Sequence, residues 1–238
     1  MGKDLLRGEG TPQIDISVIN EYLEGVTAAE RIKWAVNTVG ISRVVLTTSG
    51  GLKAPLLPDY VKNVLGVCPP VIFVDTRLYS IPTLGMVDYL ESEGYDIRDY
   101  LSPLEPEDIE LLYPGWTEPG SPNFDDAVEH IKLEPVAQAF RELLPGDKPA
   151  VWIRGISRYQ SQERADTPVI RYINGIYQLH PIVDWTEDVM DRYLVEHDLP
   201  TNPWHVDITK GEFNLECGIG NIGLSSPYTP RNHQGGKP

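Results

Sequence analysis

Three uninterrupted apolar runs constrain this chain most: Val44-Val45-Leu46, Val71-Ile72-Phe73-Val74 and Val151-Trp152-Ile153. A strand with one solvated face alternates apolar and polar residues, and these runs do not alternate. Their composition predicts strands buried on both faces, as in a parallel sheet covered by helices. A fourth run, Tyr177 to Ile182, is more mixed and also reads as a strand. Helical patterns fill the intervals, so the expected fold is α/β, a parallel twisted sheet with helices on both faces. With 238 residues the chain is long enough to bury one large core of this kind.

Local signals place the other elements. Thr27-Ala28-Ala29-Glu30 has capping-box spacing and predicts a helix to about Asn37, with Ile32, Ala35 and Val36 on one face. Further helices are expected over 52–65, 83–93, 125–144 and 186–197. Pro58 should kink or delay the first of these, and Pro135 should break the third. Residues 95–97 begin a short edge strand. The stretch 103–122, rich in Pro, Glu and Gly, reads as a surface excursion or lid. The expected organisation is a nucleotide-binding α/β domain over 1–200 and a coil-rich C-terminal segment over 201–238.

Composition removes several classes of function. The net charge of −15 disfavours sequence-blind binding to nucleic acid or to an anionic membrane, since both need a basic field. No apolar run approaches the ~20 residues of a spanning helix, and the N-terminus lacks a secretory core, so cytoplasmic residence is expected. Two cysteines build neither a disulfide framework nor a four-cysteine cluster, and no metal or cofactor is expected.

In parallel sheets ligands bind beyond the carboxyl ends of the strands, and the polar motifs of this chain fall there. Thr47-Thr48-Ser49-Gly50-Gly51 follows the first strand: Ser49, Gly50 and Gly51 let backbone N–H groups approach an anion. The same residues would also make an ordinary strand-to-helix turn. Asp75 ends the second strand, placed to accept from a nucleoside or to cap the next turn. After the third run comes Arg154 to Ala165, with Arg154, Arg158 and Arg164 interleaved with Gln160 and Ser161. Guanidinium forks match phosphate or sulfate oxygens, and this loop is the expected anion site. Lys132 supplies a further candidate cation. Cys217, in Glu216-Cys217-Gly218-Ile219, is the candidate reactive thiol. Cys68 reads as buried filler and His180, His197 and His205 as structural.

Taken in order, these residues resemble the cluster-free branch of the phosphoadenosine phosphosulfate (PAPS) reductase family. The likeness runs from about Ala28 to Ile219. It includes Glu30 to Ala35, Leu46 to Gly51, Val71 to Thr76, Lys132-Leu133-Glu134-Pro135 and Gly155 with Arg158, Gln160-Ser161, Arg164-Ala165 and Pro168. Pro181 to Trp185, His197 to Pro200, Asn202-Pro203 and Glu216 to Ile219 complete it. The family pattern differs at Arg77, where it has Gly, at Ser157, where it has Arg, and at Gly220, where it has His.

The resemblance implies an adenine-nucleotide α-hydrolase-like fold and reduction of PAPS to sulfite and adenosine 3′,5′-bisphosphate through an S-sulfocysteine at Cys217. It further implies thioredoxin or glutaredoxin as the external reductant, and leaves a homodimer open. Two rivals stand beside it. One is another enzyme of the same fold, an ATP pyrophosphatase or sulfur transferase. Its usual Ser-Gly-Gly-x-Asp-Ser is interrupted here by Lys53. The other is a non-catalytic adenine-nucleotide-binding protein.

Overall fold

The computed structural model describes residues 15–118, 121–173 and 175–205, apart from the side chain of Glu163. The strands are β1 (Val44–Thr48), β2 (Val71–Asp75), β3 (Ile97–Leu101), β4 (Ala150–Ile153), β5 (Ile170–Ile173) and β6 (Ile176–Leu179). The helices are α1 (Ile16–Glu24), α2 (Ala28–Val39), α3 (Leu56–Leu65), α4 (Ile81–Ser92), α5 (Pro106–Leu112), α6 (Phe124–Val128), α7 (Glu134–Leu143) and α8 (Glu187–Glu196). One six-stranded sheet runs in the order β3-β2-β1-β4-β6-β5. All pairs are parallel except β5 with β6. Among the described residues no helix is long and apolar enough to cross a membrane.

The apolar runs are buried on both faces, and each strand divides its side chains between two cores. Val44, Leu46, Val151, Ile153, Tyr177 and Leu179 pack with Ile19 and Leu23 of α1, Ile32 and Ala35 of α2, and Val61 of α3. The alternate residues Val45, Ile72, Val74, Trp152 and Ile176 meet Val136, Ala139 and Phe140 of α7. Burying such side chains on both faces contributes about 1.5–3 kcal/mol each, which fixes the strand register before any ligand is considered.

The capping box at Thr27 and Glu30 forms as its spacing predicts. Prolines shape two other helices. The helix expected from residue 52 begins at Leu56, because the segment after Gly51 turns through Ala54 and Leu56 before Pro55 and Pro58 enter the first helical turn. Pro135 leaves no gap in the 124–143 helix. A widened turn, Glu129–Leu133, in which the Glu134 N–H donates to the Glu129 carbonyl, absorbs the missing donor.

Three elements escape the sequence patterns. α1 lies ahead of the first capping signal. α5 sits inside the Pro-rich excursion and packs Ile109 with Trp116, Ala127, Val128 and Ile131 into a satellite core. β5 is an edge strand, and Asn20 of α1 occupies its free side, donating to the Ile170 carbonyl and accepting from the Ile170 N–H.

Candidate functional site

The strand order creates one topological switch. From β1 the chain moves outward through β2 to β3, then returns to place β4 on the other side of β1. The crevice between the carboxyl ends of β1 and β4 is where sheets of this kind take a ligand. Trp152 of β4, buried beneath α7, joins the two strands: its indole N–H donates to Thr47 Oγ1 at 2.9 Å, and the ring packs edge-on against Phe140.

Ser49-Gly50-Gly51 leaves β1 at that crevice. Gly50 has φ +64°, and a Cβ there would stand 2.8 Å from both Cγ2 and the carbonyl oxygen of Thr83. Only glycine fits. The loop is clamped from above by the segment after α8: Asn202 Nδ2 donates to the Gly50 carbonyl at 2.9 Å and to Thr83 Oγ1 at 3.3 Å, and its N–H donates to the Leu52 carbonyl. His205 Nδ1 meets Thr83 Oγ1 at 3.2 Å. Lys53, where the rival motif would need an acid, reaches α8 and bonds Glu187 and Asp191. Burial works against its charge, but the two carboxylates hold it above its ordinary pKa.

Asp75 caps its own turn: its Oδ1 accepts the Arg77 N–H at 2.7 Å. Arg77 takes a left-handed backbone, φ 62°, a conformation that favours glycine. Its side chain bonds the Ser102 carbonyl and pairs with Glu105, so it ties the end of β2 to the start of α5.

The loop after β4 is internally wired. Ser157 is wholly buried, donating its hydroxyl to the Trp185 carbonyl at 2.6 Å. Gln160 Oε1 accepts from the Ser157 N–H and from the Arg164 guanidinium. Arg158 pairs with Glu24 of α1 and donates from Nε to the Thr167 carbonyl ahead of β5. The Glu24 hydrogen bond raises its pKa further. His180, at the end of β6, is buried and donates from Nδ1 to the Pro168 carbonyl at 2.8 Å.

This architecture, with a glycine loop after β1 and an arginine loop after β4, is shared. Residues 43–207 match the phosphoadenosine phosphosulfate reductase domain. The chain belongs to the PAPS reductase family. A phosphoadenosine 5′-phosphosulfate reductase from Thiocapsa roseopersicina is 31% identical, the match covering 77% of this chain and 75% of the relative. One from Synechocystis is 29% identical over 81% of this chain and 76% of its own length. The fold is also that of a solved PAPS reductase from Candida auris, with TM-score 0.64 at 23% identity, covering 82% of this chain and 92% of that one.

For this PAPS reductase family member, the structure sets Ser49, Gly50, Gly51 and Asp75 on one sheet edge and hangs the loop bearing Gln160, Ser161 and Arg164 from the neighbouring strand. Lys132 is buried within the widened turn before α7. Arg158 is paired with Glu24 of α1. Cys217 and Gly220 lie outside the described residues. The clamp of Asn202 and Thr83 on Gly50 has no local signal in the sequence beyond Asn202-Pro203, because it joins segments far apart in the chain.

Proposed function

We propose that the protein is a thiol-dependent PAPS reductase of the cytosol, releasing sulfite and adenosine 3′,5′-bisphosphate. The observation that carries this most is the contact of the segment after α8 with the glycine loop, where Asn202 donates to the Gly50 carbonyl at 2.9 Å. His205 sits beside Gly51, its ring 3.6 Å from where a Cβ on Gly51 would be. Cys217 is twelve residues further on, and at ~3.3–3.6 Å per extended residue its tether reaches at most about 40 Å. In this reading a thiol twelve residues beyond His205 is within chain reach of the loop after β1.

In this reading Ser49, Gly50 and Gly51 receive the phosphosulfate with Lys132, Gln160, Ser161 and Arg164. Arg158 joins them on release from Glu24, and Asp75 seats the nucleoside. The Cys217 thiolate attacks the sulfuryl sulfur. An S–S bond forms, the S–O bond to phosphate breaks, and its electron pair leaves on adenosine 3′,5′-bisphosphate. Cations offset the repulsion between thiolate and sulfate and the charge growing on the leaving phosphate. A thioredoxin or glutaredoxin dithiol then attacks Cys217 Sγ and expels sulfite. Its second thiol resolves the mixed disulfide, so the dithiol is oxidised by two electrons.

Cys68 cannot substitute for Cys217, because burial pushes its thiol up to about 12 and leaves it protonated at neutral pH. The test is sulfite release with PAPS and thioredoxin. Cys217→Ser is expected to abolish it and Cys68→Ser to preserve it. Sulfite release by purified Cys217→Ser protein refutes the mechanism.

A further inference from the structure

We propose that Asn202 is a positioning residue for the substrate anion: it sets the Gly50–Gly51 peptide of the loop after β1 in the orientation that receives the 5′-phosphosulfate. The inference rests on the PAPS-reductase reading above and adds to it a residue that acts through the loop.

The Asn202 amide is engaged at both ends, and the residue is 3% exposed. Its Nδ2 donates to the Gly50 carbonyl at 2.9 Å and to Thr83 Oγ1 at 3.3 Å, while Oδ1 accepts the Trp204 N–H at 3.3 Å. A carbonyl oxygen can only accept, so the bond to Gly50 decides which end of the amide faces the loop. The Asn202 N–H donates to the Leu52 carbonyl at 3.0 Å. One residue after α8 therefore grips the loop at the residues before and after Gly51.

What this grip fixes is a peptide plane. In a trans peptide the carbonyl and the following N–H point in opposite directions. With the Gly50 carbonyl turned to Asn202, the Gly51 N–H is turned away from it. The Gly50 N–H donates to Thr48 Oγ1 at 3.2 Å, so both backbone polar groups of Gly50 are set. Gly50 needs its freedom to reach φ +64°, and the same freedom lets an unheld glycine leave that conformation. Backbone N–H groups that meet an anion already aligned spare the ordering cost at binding. Thr83, wholly buried in the first turn of α4, completes the hold: its hydroxyl accepts from Asn202 and lies 3.2 Å from Ser80 Oγ.

The experiment is PAPS binding by titration calorimetry to the full chain, with thermal unfolding recorded for each variant. Asn202→Leu removes the donors, keeps a branched side chain and leaves the net charge unchanged, so a lost affinity is not a charge effect. Asn20→Leu is the structural control: Asn20 also donates to a backbone carbonyl, that of Ile170 at 2.8 Å, but on the edge strand β5. Both variants are expected to melt at lower temperature. Only Asn202→Leu is expected to weaken PAPS binding, by about 5- to 50-fold, the scale of one buried hydrogen bond left unmade. Thr83→Val should weaken it about three- to tenfold. Thr83→Ser, which keeps the hydroxyl, should bind within about twofold of wild type. A folded Asn202→Leu protein that binds PAPS as wild type does overturns the proposal, as does an equal loss of affinity in Asn20→Leu. Should Asn202→Leu fail to fold, the Thr83 pair decides, and equal affinities in Thr83→Val and Thr83→Ser overturn it. Failure of the wild type itself to bind PAPS removes the functional reading beneath, and the proposal with it.

Discussion

Arg31 and Asp184 form a bidentate pair, Nη1 to Oδ1 at 2.8 Å and Nη2 to Oδ2 at 3.0 Å, between α2 and the connection from β6 to α8. Arg31 is wholly buried, and its remaining donors serve the Leu23 and Pro181 carbonyls. One guanidinium thus fastens the end of α1, the first turn of α2 and the turn that leads into α8. Arg31→Leu strands the Leu23 and Pro181 carbonyls, while the half-exposed Asp184 carboxylate returns to water. The expected loss is about 2–4 kcal/mol by urea unfolding. A loss under about 1 kcal/mol would show that the pair is dispensable.

The two site glycines should separate folding from binding. Gly50→Ala forces a left-handed alanine into Thr83, and a cost of about 1–3 kcal/mol is expected, with lost PAPS affinity. Nearest to a Cβ on Gly51 would be Ser49 Oγ at 3.3 Å and His205 at van der Waals distance. Gly51→Ala should hold stability within about 0.5 kcal/mol yet weaken PAPS binding, because the added methyl stands between the backbone and the anion. Unchanged calorimetric affinity in Gly51→Ala would argue against a phosphosulfate at this loop.

Arg158 is held by Glu24. If it serves the substrate, the carboxylate and the ligand compete for one guanidinium. Glu24→Gln removes the competing charge and is expected to lower the KM for PAPS about two- to tenfold with kcat unchanged. A KM that stays put assigns Arg158 to holding α1 against the loop.

His180 gives the fold a pH signature. Its folded pKa of about 3 lies below the ordinary 6.5, so the unfolded chain takes up a proton that the folded one refuses. Stability from this group is complete above about pH 6.5. It falls as the pH drops towards 3, with a limiting slope of about 1.4 kcal/mol per pH unit. His180→Asn should flatten urea-derived stability between pH 6.5 and 4 relative to wild type. Parallel curves for the two proteins would contradict it.

The apolar runs at 44–46, 71–74 and 151–153 were sufficient by themselves to imply a two-faced sheet, because a strand without alternation has no side to give to water. The Thr27 capping box and the disturbance at Pro135 were equally local, since each depends on backbone groups within a few residues. Ser49 to Gly51, Asp75 and the arginine loop could be placed at the sheet edge for the same reason: each directly follows a strand. What contacts what was not local. That Arg31 meets Asp184 across 153 positions, that Asn202 clamps Gly50, and that Glu24 takes Arg158 while Trp152 and Gln178 hold Arg154 are outcomes of packing. A chain states which groups carry charge or lack a Cβ. Only the folded arrangement decides which of them share the same few ångströms.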